Sequence, residues 1–117
     1  MTTEKKPKPV VEGRIPRISR LMALAHHLER LVVTGQVKDY AELARLGHVS
    51  QARITQIMNL LLLAPDIQEE ILFLPKTTKG HDPIKLRHLQ PIALEMDWLI
   101  QRKKWSIVNT VHPLRVR

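Results

Sequence analysis

Proline and glycine cut this sequence into short segments, and within each segment the apolar residues return every third or fourth position. After Pro16, the residues Ile18, Leu21, Met22, Ala25, Leu28, Leu31 and Val32 keep that spacing until Gly35 ends it. That pattern predicts an amphipathic helix with its proline in the first turn. Asp39 with Glu42 forms a capping pattern for a second helix from Tyr40 to Leu46, which Gly47 interrupts. Ser50 caps a third, running from Gln51 to about Leu63 and stopped by Pro65. Asp66 and Glu69 repeat the capping pattern for Ile67 to Leu74, closed by Pro75. Beyond the loop KTTKGHDP, Leu86, Leu89 and Ile92 mark a short helical piece around Pro91. Asp97 caps a final helix carrying Trp98, Gln101, Arg102 and Trp105, and the stretch from Asn109 reads as frayed. Strand alternation and internal repeats are absent, so the fold expected is all-α, with about five or six short helices.

Helices this short are marginal alone in water and must share a core. The chain has 117 residues, 44% of them apolar, which suffices for one modest domain. Aromatics are only 3%, so the core comes from Leu, Ile, Val, Ala and Met, and with no cysteine it has no disulfide to staple it. The Leu60–Leu63 run and Phe73 read as core, although four successive leucines cannot all face one way. The organisation expected is a disordered basic arm over 1–13 and a core over 14–75. A helical extension over 76–108 then packs on the core or on a partner, and 109–117 form a basic tail.

The net charge is +8, and it sits at the ends. Residues 1–20 hold six basic and two acidic side chains, and residues 98–117 hold five basic and no acidic ones. Between them, eight basic residues face nine acidic. A near-neutral middle with cationic extensions points to a polyanion, and nucleic acid is the obvious one. No apolar run approaches the ~20 residues of a membrane span and no signal core opens the chain, so a soluble, cytoplasmic, nucleoid-associated protein is expected. The chain lacks an aromatic stacking platform, having one Phe, one Tyr and two Trp, which disfavours single-stranded RNA.

The segment Lys38 to Leu60 carries the functional signal. It reads helix, tight turn, helix, with small Ala44 at the helix contact, Gly47 permitting the turn and Val49 plugging it into the core. Ile54, Ile57 and Leu61 continue the inward face. Outward lie Gln51, Arg53, Thr55, Gln56 and Asn59, short or forked hydrogen-bonding groups suited to base edges, Arg to guanine and Gln or Asn to adenine.

At these residues the string ELARLGHVSQARITQIMNLLLLAPDIQEEILF resembles the helix-turn-helix of ParB/KorB-type proteins, over residues 36–75. That family has an LA…LG-x-S-x-x-x-(V/I) core, a Leu-rich end to the recognition helix, and then a Pro-initiated acidic helix. The resemblance implies double-stranded DNA binding, with the helix at 50–63 in the major groove. His48 takes the place usually held by glycine. Residues 1–37 lack the arginine-rich motif with which partition proteins bind CTP, of which IPRISR is only an echo, so the resemblance excludes that portion.

Gln51, Arg53, Thr55 and Gln56 are therefore the candidate base readers. Ser50, Arg45, His48, Lys38 and Asn59 are candidate phosphate contacts, joined by Arg14, Arg17 and Arg20 as a cationic arm. For each, the plain alternative is a solvated helix face. Trp98 and Trp105 lie seven apart on one face and, with Arg102, either dock the last helix or form a partner or dimer surface. The histidines make no metal-binding set, and no catalytic motif or cofactor loop occurs, so a non-enzyme without metal or cofactor is expected. A transcriptional regulator or DNA accessory factor fits this pattern. A recombination or partition accessory protein of a mobile element, or an adaptor holding an acidic protein through the tryptophan helix, are the alternatives. A homodimer is expected if the target is palindromic.

Overall fold

The computed structural model describes residues 13–78 and 80–111. Of the expected arm over 1–13 only Gly13 is described, and of the expected tail over 109–117 the residues beyond 111 lie outside the described residues. The fold is all-α, with six α-helices among the described residues: α1 (Arg17–Val33), α2 (Tyr40–Gly47), α3 (Gln51–Met58), α4 (Pro65–Leu72), α5 (Leu86–Ala93) and α6 (Trp98–Val111). Among the described residues the nearest approach to a strand is one antiparallel bridge, Arg14 with Thr77, whose two N–H···O bonds measure 2.9 and 2.8 Å.

Helix boundaries follow local chemistry. Pro16 is the N-cap of α1 rather than its first residue, and Gly35 takes a φ of 82° just after the C-cap, a conformation that favours glycine. The Asp39 carboxylate accepts from the Glu42 N–H at 3.0 Å. The reciprocal bond departs from the capping box, because Glu42 accepts from Lys38 N–H at 2.7 Å. Ser50 Oγ accepts from Arg53 N–H at 3.0 Å and caps α3 as expected. Asp66 is not a cap. Proline occupies the first turn of α4, its N-cap is Ala64, and Asp66 instead pairs with Arg102.

The third helix is shorter than its apolar pattern implies. It is α-helical only to Met58 and then tightens into a 3-10 turn over Asn59–Leu62. In that geometry residues three apart eclipse, which turns both Leu60 and Leu63 into the core while Leu62 stays exposed. The leucine run thus divides its side chains by changing helix type.

Two apolar clusters share α1. The larger joins Ile18, Met22 and Ala25 to Ile57, Leu60, Leu63, Ile67 and Ile71, and continues into Ile84, Leu89, Ile92 and Trp105. The segment beyond residue 75 therefore belongs to the same core as α1 and α4. The smaller cluster, Val37, Leu43, Ala44, Ile54 and Met58, seats α2 against α3, with Leu28, Leu31 and Val32 of α1 beneath. Two residues expected inside are outside: Val49 is 43% exposed at the turn, and Phe73 is 76% exposed just past α4. Each follows the last turn of a helix, where the chain leaves the packed face. Asn109 to Val111 continue α6 rather than fraying.

A candidate nucleic-acid interface

The turn between α2 and α3 positions the candidate reader. His48 holds φ 57° and ψ 41°, the left-handed conformation. Its N–H donates to the Arg45 carbonyl at 3.3 Å, and the Val49 N–H donates to the Ala44 carbonyl at 3.1 Å. That pair of bonds is a Schellman motif, and its left-handed residue is usually glycine. Gly47, expected to supply the turn, is the last residue of α2, and among the described residues His48 is the only non-glycine at positive φ. His48→Gly is therefore expected to stabilise the fold by up to ~1 kcal/mol, the left-handed penalty less the entropy cost of glycine. Urea unfolding of the two chains checks it, and a destabilisation would mean that the imidazole has a structural role.

From this turn α3 presents a polar face. Ile54, Ile57 and Met58 are buried, while Gln51, Ala52, Thr55 and Gln56 are exposed and Arg53 and Asn59 are half-buried. At about 100° per residue, Ala52 lies closest to the middle of the outward face, with Gln51 and Thr55 to one side and Gln56 to the other. Ala52 was missed in the sequence because only hydrogen-bonding types were sought, although helical projection alone finds it. Arg53 sits at the flank, where its guanidinium reaches Gln56 Oε1 at 3.5 Å and lines a cleft shared with Arg14 and Arg17.

The candidate phosphate contacts are spread around this face. Lys38 and His48 are exposed, whereas Arg45 is paired with Glu42 at 3.2 Å, a surface contact of small energetic weight. Arg14 bonds the Gly80 carbonyl and the Asp82 carboxylate, and Arg20 turns back onto the Ile15 carbonyl at 2.9 Å. Arg17 lends its backbone N–H to Asp82 at 2.9 Å. Arg14, Arg17 and Arg53 are thus gathered around one cleft at the flank of α3. Lys85 and Arg87 line the same cleft. Nothing local in the sequence marks them, since a loop folded through Asp82 delivers them there.

The tryptophan face separates. Trp105 is 4% exposed, and its indole N–H donates to Glu70 at 2.7 Å, so it docks α6 internally and is not a partner surface. Arg102 is committed to Asp66 at 2.9 Å, and that hydrogen bond is the main reason the Asp66 carboxyl titrates below its ordinary value. Trp98 remains 46% exposed beside Leu62, Leu94 and Met96. Among the described residues no group of three metal-ligating side chains forms, and no helix is long and apolar enough to cross a membrane. Compared with known proteins, the chain matches no family model, no curated protein and no solved structure.

Proposed function

We propose that this protein binds double-stranded DNA in a sequence-dependent way, with α3 lying in the major groove, and acts as a regulator or accessory factor without cofactor or catalysis. The observation that carries this reading is the outward face of α3. Its exposed Gln51, Thr55 and Gln56 surround a small Ala52 on a short helix braced by α2, which leaves the face unobstructed. Gln51 and Gln56 supply paired donors and acceptors to adenine edges, Thr55 bonds either type of base, and the Ala52 methyl suits a thymine methyl. Ser50, Lys38, His48 and Asn59 border the groove and reach phosphates, while Arg45 does so by releasing Glu42. The basic terminal segments add affinity that weakens with salt.

The test is selection from random duplex DNA at near-physiological salt, with Gln51→Ala/Thr55→Ala/Gln56→Ala as the control. A motif enriched by the native chain and lost in the control is expected, each base pair contributing ~1–3 kcal/mol of discrimination. The control keeps its charge, so its affinity for random duplex should change little. A palindromic motif would mean a dimer bound to two half-sites. Absence of any motif, with binding that disappears on adding salt, would overturn the reader and favour an adaptor or architectural role.

A further inference from the structure

Three segments distant in sequence meet at a cleft of about 360 Å³: the start of α1, the flank of α3 and the loop that leads into α5. Arg14, Arg17, Arg53, Lys85 and Arg87 line it, and the single carboxylate among its walls is Asp82. Asp82 offsets only one of these five charges, that of Arg14, and both of its oxygens are already taken. One accepts from Arg14 at 3.1 Å and from the Thr77 hydroxyl at 2.8 Å, and the other accepts from the Arg17 backbone N–H at 2.9 Å. Its side chain is only 11% exposed. Burial works to raise the Asp82 carboxyl, but the Arg17 N–H, the Thr77 hydroxyl and the Arg14 and Arg20 charges outweigh it, and the pKa lies below its ordinary value. Asp82 is thus an ionised structural strut that fixes the loop against α1.

That leaves the side chains of Arg17, Arg53, Lys85 and Arg87 around one cavity with no carboxylate partner among the described residues. Like charges gathered this way repel, and an anion in the cleft would relieve them. Guanidinium forks match the paired oxygens of a phosphate, and the volume falls in the ~300–1,000 Å³ range of small-ligand pockets. We propose that this cleft is a phosphate-binding site, occupied either by the backbone of bound DNA or by a free phosphate-bearing molecule. Arg53 is then a phosphate ligand rather than a base reader. The site does not depend on base reading, since a chain that recognised no sequence would still hold a phosphate here.

The test uses the full chain and inorganic pyrophosphate at constant ionic strength, followed by NMR of backbone amides and arginine Nε–H groups. Saturable shifts confined to residues 14–18, Arg53 and 81–87 are expected. Arg17→Gln/Arg87→Gln should weaken that binding by at least ~10-fold, whereas Arg30→Gln/Lys103→Gln, which removes equal charge elsewhere, should not. Arg53→Gln alone is the second variant, should the double change disturb the fold. A duplex titration of the double variant identifies the occupant. A log–log salt slope smaller by roughly 2 assigns the cleft to DNA backbone, and an unchanged slope assigns it to a free ligand. Shifts spread over the whole basic surface, or equal losses in both double variants, would overturn the site. Failure to select a DNA motif would leave the pyrophosphate result standing and remove only the reader.

Discussion

Gln101→Leu is expected to lower the stability of the fold by about 2–4 kcal/mol, with the melting temperature falling by roughly 10–20 °C. Gln101 is fully buried, and its amide serves three backbone groups at once. Its oxygen accepts from the Ala64 N–H at 2.8 Å, and its nitrogen donates to the carbonyls of Leu62 at 3.1 Å and Glu95 at 2.8 Å. These groups lie at the end of the 3-10 turn, the cap of α4 and the turn before α6, so one side chain joins three breaks in the helical chain. Leucine matches the glutamine in bulk but offers neither donor nor acceptor. The Ala64 N–H, on a buried residue, would lose its partner at the full desolvation cost, and the two carbonyls would recover only what water can reach. Calorimetry of the two chains checks this. An unchanged melting temperature would mean that the last helix is held by Trp105 and apolar packing alone.

Why this residue was not legible in the sequence shows where sequence reading stops. The inward face of α1, the caps at Asp39 and Ser50 and the inward Ile54 and Ile57 were legible, because each depends on spacing within a few residues. The left-handed residue was not, since spacing assigns the turn to Gly47 and only the resemblance puts His48 in the usual place of glycine. Gln101 was not, since its partners are backbone groups of segments up to 39 residues away, and backbone groups carry no sequence signature. The tryptophans fail differently. A spacing of seven does put Trp98 and Trp105 on one face, but Trp98 opens the helix and overhangs the core, so position along the element decides burial. The cationic cleft needed the loop around Asp82 to fold back onto Arg14 and Arg17, a tertiary event. The outward face of α3 was readable from period alone. Its centre at Ala52 is marked by angle alone, because a methyl group carries no hydrogen-bonding chemistry.

Ala52→Glu is therefore the sharpest test of the interface, and it is expected to weaken duplex binding severely while leaving the fold intact. Ala52 is exposed in the first turn of α3, two residues beyond its Ser50 cap. Glutamate is a good helix former, and a negative charge in a first turn is favourable with the helix dipole, so stability should stay within ~0.5 kcal/mol of the native chain or rise slightly. In a major groove the same carboxylate would face base edges between two phosphate backbones. Juxtaposed like charge costs several kcal/mol, which corresponds to a loss of ~100-fold or more in affinity. Ala52→Gln separates charge from bulk: it adds the same length without the charge and should cost far less, with altered base preference. Retained duplex affinity in a folded Ala52→Glu chain would mean that DNA does not approach this face. Any nucleic-acid binding would then fall to the basic cleft beside it and to the cationic ends, through phosphate contacts unaccompanied by any reading of sequence.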